Sequence, residues 1–406
     1  MLAREDITHI RELCQATLRQ NWREGVRESD ATGFAYTCPS PSHYPWQWYW
    51  DSCFAAIAWR HFDPARSRRE LESLLAAQRE DGFIGHTIFW NTPLRGRRRF
   101  TYNVISPHDA MTASIQPPVL AWAWRIAVGD PAQVAAIQCH YDWLAAHRDL
   151  DGDGLIWIVQ PDESGLDASP QFDAIWGRRA HDHPGFILLV RRNRGLGYDL
   201  RRIADAGGPV CSEVATNVLY ALSLIALGRP SPTKTIVSRM YNERAGLFEP
   251  LVRPTPRRTP AVTWAALAPL ALPDLPEEIG RRLVEEHLLD PERFWLPVPP
   301  PSVPPTEPAF STRDDTGFLW IRRYWRGPTW INAAWLVWLG LVRLGYEAKA
   351  DVLATRVASA VQSSGLREYY DPFTGRGMGS RDFAWSTLVM EMIAPVPAAV
   401  ASSYLA

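Results

Sequence analysis

The chain has 406 residues, 46% of them hydrophobic, with a formal net charge of −1. That is enough apolar material for a large buried core, and the balanced charge excludes nucleic acid or an anionic membrane as the default partner. Five cysteines, Cys14, Cys38, Cys53, Cys139 and Cys211, are scattered, odd in number and without metal spacing, which argues against a disulfide framework and fits a cytoplasmic, reducing setting.

At the N-terminus, Arg4, Glu5 and Asp6 stand where a signal peptide would need an apolar run, so no leader is expected. No stretch is long and apolar enough to span a bilayer, and the small-residue run 394–406 is too short to anchor. Helical periodicity marks 5–21, 52–61, 66–79, 109–128, 131–147, 212–227, 261–271, 276–288, 329–344, 346–362 and 382–393. Asp63-Pro64, Asp130-Pro131 and Asp290-Pro291 read as helix starts, the carboxylate capping and the proline filling the first turn. Period-two alternation is confined to Leu155–Val159, Phe186–Val190 and Thr87–Trp90, which read as short strands. The proline-rich segments 250–260 and 297–308 read as extended loops over a mouth. Helical patterning resumes beyond both without a shift in composition, so the whole chain, 1–406, reads as one domain. About eleven or twelve helices with loops between them close most economically as a toroid of paired helices, with one concave mouth built from loops. A solenoid is the alternative, without a fixed repeat period to support it.

Six segments carry chemistry. Tyr44-Pro-Trp-Gln-Trp-Tyr-Trp50-Asp51 places a carboxylate after an aromatic run; Asp51 reads as an acceptor for sugar hydroxyls beside a flat Trp50 wall, or as a helix cap. Gln116, before Pro117 and Pro118, presents an amide at a forced helix break, for a ligand or for a local turn. Asp149-Leu-Asp151-Gly-Asp153-Gly154 copies the start of a calcium loop, but Gln160 stands where the bidentate glutamate belongs, so a turn is preferred and calcium is left as a minor alternative. Glu163-Ser-Gly-Leu-Asp167-Ala-Ser-Pro uses Gly165 for a tight turn before Asp167. Tyr324-Trp325-Arg326-Gly-Pro-Thr-Trp330 surrounds one arginine with rings that suit a pyranose face, or core packing with a snorkelling arginine. Arg367-Glu368-Tyr-Tyr-Asp371-Pro-Phe-Thr-Gly375 sets Glu368 just before a turn. Two isolated acids in a tryptophan-rich chain point to acid–base chemistry on a sugar. No serine-histidine-aspartate pattern, phosphate loop or dinucleotide fingerprint is present, and His181-Asp-His183 lacks the further ligands a metal needs.

Taken in this order, the six segments resemble glycoside hydrolase family 63, in particular its compact bacterial branch acting on mannosylglycerate or glucosylglycerate. The likeness runs from Tyr44 to Trp385 and includes a trehalase-type Ser-Gly-x-Asp-x-Ser signature at Ser164–Ser169. The resemblance implies an all-α (α/α)6 barrel with long loops and short strands at the mouth, and a hydrolase that inverts the anomeric carbon. It implies Asp167 as general acid and Glu368 as general base, with Tyr44, Trp50, Asp51, Gln116, Tyr324, Trp325, Arg326 and Trp330 at the sugar. Inversion needs room for a water, so the carboxyl groups should stand roughly 6.5–9.5 Å apart. Burial against tryptophan and the charge of Glu368 would keep Asp167 protonated.

Glucosylglycerate or mannosylglycerate is the expected substrate. A disaccharide or short α-glucan, a trehalase-like reaction, a phosphorolytic reaction and a non-catalytic sugar-binding barrel are the alternatives. Glycerate is an anion, and its candidate arginines lie in 178–202 or in a lid at Arg95, Arg97, Arg98 and Arg99. Neither metal nor cofactor is expected. The partner is a small sugar, with self-association left open.

Overall fold

The computed structural model describes residues 3–91, 110–180, 183–254, 261–313 and 325–394. Six helical segments follow one another around a closed inner ring: Tyr49–Trp59, Leu120–Ala127, Val214–Ala226, Trp264–Ala271, Ile331–Arg343 and Ala384–Leu388, the last continuing as Val389–Ile393. Each packs on the next, and Ala384–Leu388 closes back on Tyr49–Trp59. Their sequences explain the position. Every residue of Tyr49–Trp59 and of Trp264–Ala271 is buried, as expected of helices with no polar face. Trp264–Ala271 winds as a 3₁₀ helix around Pro269, which cannot supply an N–H to an α-helical ladder.

The outer ring is amphipathic. Arg4–Asn21 buries Ile10, Cys14, Thr17, Leu18 and Asn21 along one stripe and packs on Ala384–Leu388 and Glu347–Ser364. Pro64–Ala76 covers Tyr49–Trp59, Thr233–Met240 covers Val214–Ala226, and Glu347–Ser364 covers Ile331–Arg343. Val134–Arg148 is tied to Leu120–Ala127 by Tyr141, whose hydroxyl accepts from the Ala121 N–H (3.2 Å) and donates to the Pro118 carbonyl (2.9 Å). Glu277–Arg282 and the π-helical Leu283–Leu288 complete the ring against Trp264–Ala271. This is the (α/α)6 toroid. Among the described residues, the strands form only two-stranded pairs, and no helix is long and apolar enough to cross a membrane.

The local signals hold where they are strong. Asp63 caps Pro64–Ala76, Oδ1 accepting from the Ala65 and Arg66 N–H groups. Asp290-Pro291 makes only a turn, the Arg293 and Phe294 N–H groups bonding to the Asp290 carbonyl. The helix expected over 109–128 shrinks to Leu120–Ala127, because Pro117 and Pro118 block its first half. The expected strand Phe186–Val190 is wrong: those residues lie inside the helix His183–Gly195. A short apolar run fits either period, and only packing decides; here Leu189 and Val190 are buried while Leu188 is 56% exposed. Leu155–Val159 makes isolated bridges through Ile156 and Ile158 rather than a strand, whereas Thr87–Ile88 pairs antiparallel with Gln47–Trp48.

The calcium-like loop serves other ends. Asp149 accepts the N–H groups of Gly152, Asp153 and Gly154, while Asp151 and Asp153 pair with Arg239, and Asp151 also with Arg253. The proline-rich 297–308 stretch, expected as an extended loop, is a non-helical loop but one of successive bends and turns, and it is strapped in place. The Ser302 carbonyl accepts the Trp264 N–H (3.0 Å), the Ser302 N–H donates to Pro328 (2.9 Å), and the Val298 N–H reaches the Pro372 carbonyl (2.8 Å). The stretch thereby joins the segment carrying Arg326 to the strand carrying Glu368. Residues 255–260, the Arg95–Arg99 lid, His181, Asp182 and the 395–406 tail lie outside the described residues.

Candidate active site

Trp48, extended at φ −111°, precedes the helix Tyr49–Trp59 and offers no side-chain cap. The open N–H groups of the first turn are met from elsewhere. Tyr49 donates to the His86 carbonyl (3.0 Å), and Trp50 donates to Gln116 Oε1 (2.9 Å). Gln116 is thus a remote cap, held by the helix break at Pro117-Pro118. Asp51, the third residue of that helix, is 4% exposed. Burial first, then the negative charges of Glu368 and Glu70, raise its carboxyl well above the ordinary carboxylate range. A neutral carboxyl there can donate as well as accept.

Asp167 rides on a rigid turn. The 3₁₀ segment Pro161–Ser164 ends at Gly165, which is left-handed (φ 68°) and donates to the Asp162 carbonyl (3.0 Å). Ser164 Oγ donates to Pro161 and accepts from Leu166. Ala168, directly after Asp167, sits at φ 61°, a conformation a non-glycine residue keeps only when its surroundings enforce it. Glu163 does much of the enforcing. Fully buried, it accepts the Ile115 N–H (3.0 Å), the Val159 N–H (2.8 Å) and both terminal nitrogens of Arg148 (2.7 and 2.9 Å).

A Cβ added at Gly165 would lie 2.4 Å from Cζ2 of Trp50. Glycine is needed there twice, for its φ and for the close approach. Gly165→Ala is expected to push Trp50 and the Asp167 turn apart and to lower kcat/KM about 100-fold. Steady-state kinetics beside a thermal melt checks this; a fully active variant would show that the contact does not position the acid.

Glu368 lies on the strand Arg367–Tyr370, antiparallel to Gly377–Arg381, with a register irregularity between Met378 and Arg381. Such bulges re-aim side chains beside functional sites. The Ser380 N–H donates to Glu368 Oε2 (2.9 Å) and the Tyr44 hydroxyl to Oε1 (3.3 Å). The carboxylate crosses over Gly379 (φ 63°), where an added Cβ would stand 2.6 Å from Oε2. Tyr44 itself is held edge-on by Trp48 and Phe383.

The two halves meet at Trp50. Its ring lies against Gly165 of the Asp167 turn and edge-on to Trp385 (5.3 Å), whose indole N–H donates to the Glu368 carbonyl (3.4 Å). Trp385 also meets Trp330 (5.5 Å), which stacks face to face on Trp325 (3.8 Å) and leans on Tyr369. Trp325 and Trp330 are buried in this stack. Arg326 ties the same segment to the Asp167 side, donating from its terminal nitrogen to Asp173 Oδ1 (2.6 Å). Tyr324 lies outside the described residues.

In the arginine-rich 178–202 stretch, Arg201 holds the carbonyls of Asp149 and Leu150, a structural task. Sequence reasoning missed Arg148, which ends an outer helix and reads there as a solvated charge, and it missed Trp385, His86 and Gly379. Only Gly379 had a signal, its place in the glycine-spaced run Gly375, Gly377 and Gly379 just after Glu368.

Two carboxyl side chains, Asp167 on a tight turn and Glu368 on a strand, on either side of one indole, with the buried Asp51 carboxyl nearby, make a setting that suits proton transfer to and from a pyranoside. A family model described as the mannosylglycerate hydrolase MGH1-like glycoside hydrolase domain matches residues 44–386. A mannosylglycerate hydrolase from Thermus thermophilus is 29% identical, over 87% of this chain and 95% of that one. A glucosylglycerate hydrolase from Mycolicibacterium hassiacum is 26% identical, over 86% of this chain and 92% of that one. The crystal structure of a GH63 mannosylglycerate hydrolase from Thermus thermophilus, in complex with Tris and D-glycerate, matches with a TM-score of 0.77 at 25% identity, covering 94% of this chain and 99% of that one.

Proposed function

Since the chain belongs to the mannosylglycerate hydrolase MGH1-like glycoside hydrolases, we propose that it hydrolyses mannosylglycerate or glucosylglycerate with inversion, using Asp167 as general acid and Glu368 as general base. That it is a glycoside hydrolase follows from the family; the substrate and the residue roles are our reading. Asp167 gives its proton to the glycosidic oxygen as the bond to the anomeric carbon breaks. Glu368, ionised and oriented by Ser380 and Tyr44, takes a proton from a water attacking the opposite ring face. Asp51 holds sugar hydroxyls, Trp50 is the apolar wall, and Gln116 fixes both through the Trp50 N–H. Trp325, Arg326 and Trp330 line the far side, the two tryptophans acting through their stack. The observation that carries this reading is Trp50, which touches the turn of one acid and the tryptophan bonded to the strand of the other.

The test is a hydrolysis screen of α-mannosylglycerate, α-glucosylglycerate, trehalose and kojibiose in phosphate-free buffer, with the first-formed anomer followed by proton NMR. Release of β-sugar from one of the glycerates is expected. Release of α-sugar would overturn the water-activated mechanism, and cleavage of the disaccharides alone would overturn the substrate.

A further inference from the structure

Arg367 precedes Glu368 on its strand, and the mechanism above gives it no task. Its backbone is pinned on both sides, the N–H donating to the Tyr370 hydroxyl (2.9 Å) and the carbonyl accepting from the Ser386 hydroxyl (2.6 Å). Its side chain passes over Gly377, where an added Cβ would stand 2.3 Å from Cγ. From there Nη2 of the guanidinium donates to the Gly379 carbonyl (2.8 Å). Among the described residues the guanidinium enters no ion pair, and its Nε is buried without a hydrogen-bond partner. Gly379 and Ser380 make the irregularity in the strand pair: Met378 pairs with Tyr369 and Arg381 with Arg367, so two residues stand opposite Glu368 alone.

The Gly379 carbonyl and the Ser380 N–H belong to one planar peptide group and point in opposite directions. Arg367 holds its oxygen end, and its hydrogen end donates to Glu368 Oε2 (2.9 Å). A cation on the oxygen polarises the peptide and strengthens the N–H as a donor. Glu368 is 6% exposed, and burial by itself favours the neutral carboxyl, which cannot take a proton from water. We propose that Arg367 is a positioning residue for the general base: acting through the Gly379–Ser380 peptide, it aims the Glu368 carboxylate and holds it in its charged form. The inference rests on the reading of Glu368 as the base. Two other titratable groups face Glu368, the Tyr44 hydroxyl on Oε1 and the buried Asp51 carboxyl. Of the elements packed on its strand, Ala384–Leu388 has no titratable side chain, and Gly377–Arg381 has only the exposed Arg381. In Glu347–Ser364, Glu347, Lys349 and Asp351 are exposed in the first turns, away from the Ser364 end that meets Gly377, and Arg356 is bound to the Leu296 carbonyl.

The experiment is the pH dependence of kcat/KM for wild type, Arg367→Met and Arg367→Lys on the glycoside the enzyme cleaves, with Glu368→Gln as control. The acidic limb reports the ionisation of the base in the free enzyme. In Arg367→Met the charged carboxylate loses its support and keeps its proton to higher pH. The acidic limb is therefore expected to move up by about one pH unit, which lowers kcat/KM about tenfold at a pH below the limb, with the basic limb in place. Arg367→Lys, which keeps a cation, should return the limb towards wild type. A merely structural Arg367 would lower the whole profile without displacing it. An unmoved acidic limb in a folded Arg367→Met protein, with Glu368→Gln inactive, would overturn the role of Arg367 alone. An active Glu368→Gln would overturn the assignment of the base. Should Arg367→Met fail to fold, Arg367→Gln removes the same charge and gives the same readout.

Discussion

Asp167→Asn and Glu368→Gln are each expected to reduce turnover of the natural glycoside by about 10²–10⁴-fold or more, in proteins that still fold. The amides match the carboxylates in shape, so the Asp167 turn keeps its glycine and its Glu163 anchor, and the amide oxygen introduced by Glu368→Gln can still accept from the Ser380 N–H. What is lost is chemistry: an asparagine cannot release a proton to the glycosidic oxygen, and a glutamine cannot take one from water. The two variants differ in a way that identifies the roles. A glycoside with an acidic phenol as leaving group needs little protonation, so it should recover much of the rate in Asp167→Asn and none in Glu368→Gln. Steady-state kinetics on both substrates checks this. Retention of most activity on the natural substrate by either variant would remove that residue from the mechanism.

Glu163→Ala is expected to destabilise the protein by about 3–5 kcal/mol. The substitution strands the Arg148 guanidinium, 1% exposed, with no counter-charge, and frees the Ile115 and Val159 N–H groups in the interior. An unpaired buried charge costs far more than the pair itself contributes. Replacing both partners together, Glu163→Met with Arg148→Met, should therefore cost less than Glu163→Ala alone. Urea denaturation of the three proteins measures it. A Glu163→Ala loss below about 1 kcal/mol would show that Arg148 reaches water and that the pair does not anchor the Asp167 turn.

Legibility followed range. The Asp63-Pro64 cap, the apolar inner helices and the Gly165 turn are read from neighbours in sequence, because each is set by contacts within a few residues. The run Phe186–Val190 failed for the same reason in reverse: five apolar residues hold too little pattern to choose a period, and the helix around them is chosen by the surface it packs on. Gln116 was rightly singled out at its proline break, yet its partner, the Trp50 N–H, is far along the chain.

The order and spacing of residues alone determined that this chain builds paired helices with sharp glycine and proline turns, and which turns carry acids between aromatic rings. Local conformational preference and hydrophobic period need nothing more than adjacent residues. Only the closed ring decided that Trp50 lies between Gly165 and Trp385, and that Arg148 neutralises Glu163. Burial and the arrival of remote partners set the charge state of a carboxyl, and both arise when the chain closes on itself.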